Sequence, residues 1–301
     1  MGDGTPVEGS LYVYAPNKVA PIIFTIAFAA SAAGHLWQCY RYKCWKLMGL
    51  HPLCAVSFTV GPMLELANYH ILGRIFYYVP YFAPLDPGKV MATFGTLSAL
   101  IETLNSLGVS LRSNPSASPT SQATGSHFTT AALVLQIVVI ATFVVLAVLF
   151  HRRCSQANMR VKAVSSPLIT LYISTVLIFV RCVYRMVEET GNTTVDLDNP
   201  EALAALSPAL RYEWFFYVFE ATLMLINSVL WNVRNPRRYM PGNYRVYLSR
   251  DGTTEIEGED MSDTRPLLVR VFDPFGLIVR KKKTSSPYWE LDNCSDVHHQ
   301  G

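Results

Sequence analysis

Apolar runs of roughly bilayer length recur six times along the chain: Val19 to Trp37, His51 to Gly73, Val90 to Leu111, Phe128 to Phe150, Pro167 to Glu188 and Trp214 to Val233. A helix needs about 20 predominantly apolar residues to cross the hydrocarbon core, so this pattern predicts an all-α, polytopic transmembrane bundle with six visible segments. The second run is interrupted in its middle by Gly61-Pro62. Proline removes a backbone donor and clashes with the preceding turn, so that run is expected to be kinked, broken or not one helix. Between the runs, Tyr77 to Lys89 is rich in aromatics and proline and is expected at the membrane interface. Arg112 to His127 is a Ser/Pro/Thr stretch with no sign of a packed core.

Polar residues inside these runs fall at helical spacing. Arg181, Tyr184, Arg185 and Glu188 stand at i, i+3, i+4 and i+7, and therefore share one helix face. Glu213, Tyr217, Glu220 and Asn227 follow at i, i+4, i+7 and i+14 on the last run. Gly95, Ser98, Glu102 and Asn105 form a third stripe, and Glu65, Asn68 and Tyr69 follow the Gly61-Pro62 break. A charge at bilayer depth costs about 2.5–3.5 kcal/mol on insertion scales, so such groups face protein or a wet cavity. One reading is a polar track that takes a cationic head at Glu102 and Glu220 while the arginines handle phosphate or balance charge. The other is an ion-pair network that locks the helices together, and both can hold at once.

Composition and charge sharpen this picture. The chain is 50% hydrophobic and 16% charged, against about 25% charged for an ordinary soluble domain. Basic loops at Arg41 to Lys46, Arg152 to Lys162 and Arg234 to Arg238 are expected in the cytoplasm. The stretch Thr190 to Arg211 is acidic and holds Asn192-Thr193-Thr194, which makes Asn192 a glycosylation candidate. This gives an extracellular tail over 1–18, a helical domain over 19–238 and a cytoplasmic, largely disordered tail over 239–301. Three segments separate the first two basic loops, however, and three crossings would put those loops on opposite sides. A seventh crossing near Gly61-Pro62, or a re-entrant segment there, restores the parity. The six cysteines lack paired spacing; Cys39, Cys44 and Cys154 lie beside basic residues, where palmitoylation competes with the simpler reading of unmodified thiols.

LANYHILGR (Leu66 to Arg74), YYVPYFAPLDPGK, TFGTLSALIETLNSLGVSL, FHRRC (Phe150 to Cys154), RCVYRMVEE and EWFFYVFE together resemble the fungal lipid-translocating exporter family, also described by its resistance-to-aminocholesterol founder. The resemblance covers most of Lys18 to Arg238. It implies a seven-helix plasma-membrane protein with its N-terminus outside and its C-terminus inside. The implied role is export or flipping of sphingoid bases and resistance to toxic amphiphiles. The chain departs from the family pattern at one place: LHPLCAVSFTV runs straight into GPMLELANY. The rest of a second helix, an outside loop and the start of a third would stand there, and a skipped exon or faulty gene model is preferred over a real shortened form.

Other classes fit less well. No Gly-x-x-x-x-Gly-Lys-Ser/Thr loop is present to cradle a nucleotide, which disfavours an ATP-driven pump. An intramembrane metal hydrolase would need ligands such as His35, His70 and Glu65, yet neither His-x-x-x-His nor His-Glu-x-x-His occurs. A seven-helix sensor that binds a lipid or drug without moving it is the main rival, because fold does not fix function. Membrane lipids are the expected partners. No enzyme activity, cofactor, metal or nucleic-acid partner is expected.

Overall fold

The computed structural model describes residues 17–48, 51, 61–112, 118–159, 161–191, 208–250 and 252–258. Six long helices dominate among the described residues: α1 (Ala20–Tyr42), α2 (Gly61–Tyr78), α3 (Pro87–Arg112), α4 (Pro119–Gln156), α5 (Lys162–Thr190) and α6. The last is composite, running from Glu213–Phe216 through a π-helical stretch, Tyr217–Thr222, into Leu223–Val233. Four of the six, α1 and α4 to α6, are long and apolar enough to cross a membrane by length and composition. The chain is thus an all-α membrane bundle.

Local chemistry sets where these helices start and stop. α1 ends at Lys43, which adopts a left-handed conformation (φ 50°) and returns its N–H to the Cys39 carbonyl. α2 begins at the Gly61-Pro62 step itself. Proline is tolerated in a first turn, where its missing N–H would have no helical partner anyway; residues 52–60, the first half of the run expected over His51 to Gly73, lie outside the described residues. α4 starts nine residues before the predicted Phe128, because the Ser118 hydroxyl accepts from the Ser121 N–H and Pro119 occupies the first turn. The stretch expected as a loop to His127 is therefore helical from Pro119 onward. It packs as well: a Cβ placed on Gly125 would lie 2.7 Å from the Gly108 carbonyl oxygen, so α3 and α4 cross with their backbones in contact.

The bundle has two ends, and contacts fix which way each helix runs. Gln38, near the end of α1, donates to the Asn232 carbonyl (2.9 Å), and Asn235 donates to Gln38 Oε1 (2.6 Å). At the other end the Asn17 amide donates to the Glu213 carboxylate (2.9 Å). α1 and α6 are therefore parallel. α2 finishes at the same end, since Arg74 reaches the carbonyls of Asn243 (3.0 Å) and Val246 (3.3 Å), just beyond α6. α4 descends to that end and α3 and α5 rise from it; the tops of α3 and α5 are joined by an Arg112–Glu189 ion pair. So α1 and α2 run the same way, with only twelve residues between Met48 and Gly61 to return across. A helical return needs about 20.

Within the stretch over 239–301 expected to be largely disordered, the described residues 239–250 and 252–258 hold a short hairpin. Val246–Leu248 (β1) and Glu255–Glu257 (β2) form an antiparallel hairpin with Tyr247 opposite Ile256. Tyr247, Leu248 and Met240 are buried, and Arg74 lies over the Tyr244 ring at 4.9 Å. The hairpin closes the basic end of α2, where aromatic and aliphatic residues find cover that a solvated tail would not give. Residues 1–16 and 259–301, with the Arg280 to Lys283 run, lie outside the described residues. Cys39, Cys44 and Cys154 are all buried, and burial holds the Cys44 thiol above its usual pKa.

Candidate functional site in the polar interior

The charged face predicted on α5 splits in two. Arg181 is buried, and its Nε donates to Glu220 Oε1 at 2.9 Å while Nη2 donates to the same oxygen. Glu220 is equally buried, and its Oε2 has no hydrogen-bond partner among the described residues. Arg185 and Glu188, one turn further on, are more open and only loosely paired at 3.8 Å. Tyr184 is buried and its ring stacks on Phe219 of α6 (5.4 Å, 14°).

The predicted face on α6 also divides, and the π stretch is the reason. Glu213 accepts from Tyr217 (2.8 Å) and caps the Asn17 amide, and Tyr217 stacks on Phe24 of α1 (5.3 Å, 10°). The wider turn between Tyr217 and Thr222 then re-aims the chain, so that Glu220 and Asn227 point into the bundle. Asn227 is fully buried, and neither its Oδ1 nor its Nδ2 has a partner among the described residues.

Glu65 on α2 is buried and accepts from Tyr69 Oη (3.2 Å) and from Gln136 of α4. Glu102 is half-buried on α3. The ion pairs shown among these residues are Arg181–Glu220 and Arg185–Glu188, while Glu65 is held by Tyr69 and Gln136. Asn105 is half-buried one turn beyond Glu102. Asn68 belongs elsewhere: it exchanges hydrogen bonds with Ser174 (2.8 and 3.1 Å), which also accepts from the buried Trp231 indole (3.2 Å). Asn192 lies outside the described residues.

A polar seam between α1 and α6 escaped the sequence reading. Ser31 and Ser228 hydroxyls share a hydrogen bond (2.7 Å), His35 Nε2 donates to the Ser228 carbonyl (3.1 Å), and Asn232 donates to Ser31 Oγ (2.9 Å). The signal was present as Ser31, His35 and Gln38 at i, i+4 and i+7 within an apolar run. The ligands considered for a metal hydrolase are apart: His35 is in this seam, Glu65 is held by Tyr69 and Gln136, and His70 meets Tyr244 Oη at 3.0 Å.

Beside the Tyr184–Phe219 stack, Phe179, Val183, Val187 and Phe215 line an open apolar groove of about 420 Å³ on the outer face of α5 and α6. Tyr184 lines the groove too and stands one helical turn from Arg181.

Comparison with known proteins places this arrangement. Residues 24–243 match the family model described as RTA1 like protein. The chain is 50% identical to a lipid-translocating exporter-like protein RTA1 of Leptosphaeria maculans, across 92% of this chain and 61% of the relative. It therefore spans about three-fifths of that relative's length. Because 92% of 301 residues is about 277 and the alignment runs to 319, about 40 positions of the relative have no counterpart here. A second lipid-translocating exporter-like protein RTA1, of Ajellomyces capsulatus, is 28% identical across 88% of this chain and 81% of its own. A probable lipid transporter, atnI, of Emericella nidulans is 23% identical across 78% and 69%. No solved structure matches. The chain belongs to the RTA1-like family of membrane proteins.

Proposed function

We propose that this chain moves a cationic, single-tailed amphiphile of the sphingoid-base type across a fungal plasma membrane, and so confers resistance to toxic amphiphiles. The basic end, with Arg41, Arg152, Arg234 and Arg238, is the cytoplasmic end by the positive-inside bias. The observation that carries the reading is the second oxygen of Glu220, buried and without a partner beside the Arg181 pair. A buried carboxylate oxygen left unpaired is costly, and an ammonium head entering the interior would satisfy it. The groove at Phe179, Val183 and Phe215 supports the tail half of the reading: the tail stays in lipid while the head turns past Tyr184.

The names of the relatives agree with lipid movement as a class. A second reading is a sensor that binds amphiphile without moving it, favoured by the six long helices among the described residues where the resemblance implies seven. Proteoliposomes holding the full chain and a fluorescent sphingoid base separate the two. Protein-dependent transfer between leaflets supports translocation, whereas saturable binding with no transfer supports the sensor.

A further inference from the structure

The basic end of α4 carries a second site, unconnected with the interior. Val148, His151, Arg152 and Ser155 fall at i, i+3, i+4 and i+7 and share one face of α4. With Tyr172 of α5 they line a cleft of about 420 Å³. Its depth in the bundle is set by what lies on either side. Val145 and Leu149 on α4, and Ile173 and Val176 on α5, are exposed apolar residues on the side toward the bundle's middle. Arg153 and Gln156 are exposed on the other side. The cleft therefore straddles the boundary between hydrocarbon and headgroup layers.

We propose that this cleft holds the headgroup of an anionic phospholipid, with its acyl chains lying along the α4–α5 seam. The lining offers donors and no carboxylate. Arg152 brings a planar fork that matches phosphate oxygens in pairs. Ser155 adds a hydroxyl. The His151 and Tyr172 rings stack at 6.0 Å and 17°, with Tyr172 Oη 3.4 Å from His151 Nδ1. In the tautomer whose Nδ1 accepts from the phenol, the ring proton sits on Nε2, where it can meet an anion. The C-terminal end of α4 opposes an anion through its partial negative charge, so Arg152 has to carry the attraction. The exposed apolar strip selects a lipid over a free anion, because it gives the chains a surface that phosphate alone cannot use. The site is separate from the Arg181–Glu220 pair, which begins nine residues further along α5, about 13 Å at the helical rise.

The test is native mass spectrometry of the full chain, purified with phosphatidic acid or with phosphatidylcholine, comparing Arg152→Gln with Arg153→Gln. Both variants remove one exposed charge, so both lose the general surface attraction, about fivefold per basic residue. Arg152→Gln also loses its paired hydrogen bonds, and retention of phosphatidic acid is expected to fall at least about tenfold further. Phosphatidylcholine is expected to be lost readily from every form, and inorganic phosphate to leave bound phosphatidic acid in place. Equal losses in the two variants, equal retention of phosphatidylcholine, or displacement by inorganic phosphate would each overturn the assignment.

Discussion

Arg181 aims two N–H groups at one oxygen of Glu220 and leaves the other oxygen, Oε2, buried without a partner. Arginine and carboxylate frequently meet as a fork across both oxygens, and this pair leaves one oxygen over. Removing one member of a buried pair strands the other. Arg181→Met is expected to destabilise the bundle by about 3–5 kcal/mol, whereas Arg181→Met with Glu220→Leu is expected to recover most of that. Thermal unfolding in detergent reads both, and a double variant no more stable than the single would contradict the pairing.

The α3–α4 crossing gives a packing prediction. A Cβ on Gly125 meets the Gly108 carbonyl oxygen at 2.7 Å and the Arg112 nitrogen at 2.8 Å, all backbone atoms that cannot rotate away. Gly125→Ala is expected to cost about 1–3 kcal/mol by overpacking. At Gly88 a Cβ would find only Asp86 Oδ1, at 3.9 Å. Gly88→Ala is expected to be neutral or slightly stabilising, and the difference in melting temperature between the two variants checks the crossing.

The hairpin contact at Tyr244 is sensitive to alkali. Burial raises the Tyr244 phenol above its usual pKa, although Arg74 pulls the other way. The folded protein thus holds this proton more tightly than the unfolded chain does. The resulting stability is complete below about pH 10, the ordinary tyrosine value, and is lost as pH rises above it. Melting temperatures of the parent are expected to fall more steeply above pH 10 than those of Tyr244→Phe. Parallel curves would remove Tyr244 from the account.

The parallel course of α1 and α2 leads to a prediction about the gene. An in-frame insertion of about 30–40 residues between the codons for Met48 and Gly61 would supply the missing rise across the membrane and the lost part of its neighbour. Sequencing the transcript over this stretch is expected to find it; the alignment with the Leptosphaeria relative leaves roughly 40 positions without a counterpart in this chain. An uninterrupted transcript would mean that twelve residues make the return.

The membrane bundle was legible because long apolar runs admit few alternatives; the parity of basic loops points to an irregularity near Gly61-Pro62, whose upstream side, residues 52–60, lies outside the described residues. Arg181 and Glu220 stood out singly as charges in apolar runs. Their pairing did not, because it joins residues 39 apart on different helices and depends on a π stretch that shifts the face of α6 between Tyr217 and Thr222. The α1–α6 seam stayed hidden because serine, histidine and glutamine lower hydropathy only mildly, and their partners are set by packing. The hairpin after Tyr239 was read as tail because two three-residue strands leave almost no periodicity to detect.

The central claim is that Glu220 receives a cationic head, and charge selectivity tests it most directly. Leaflet-to-leaflet transfer of a fluorescent sphingoid base, and of the same molecule with its amine acetylated, is measured for the parent and for Glu220→Gln in proteoliposomes. The parent is expected to prefer the amine form and Glu220→Gln to lose that preference by about tenfold or more, the weight of one charge-assisted hydrogen bond in a buried site. Equal transfer of both molecules by the parent, or an unchanged preference in a folded Glu220→Gln, would contradict it.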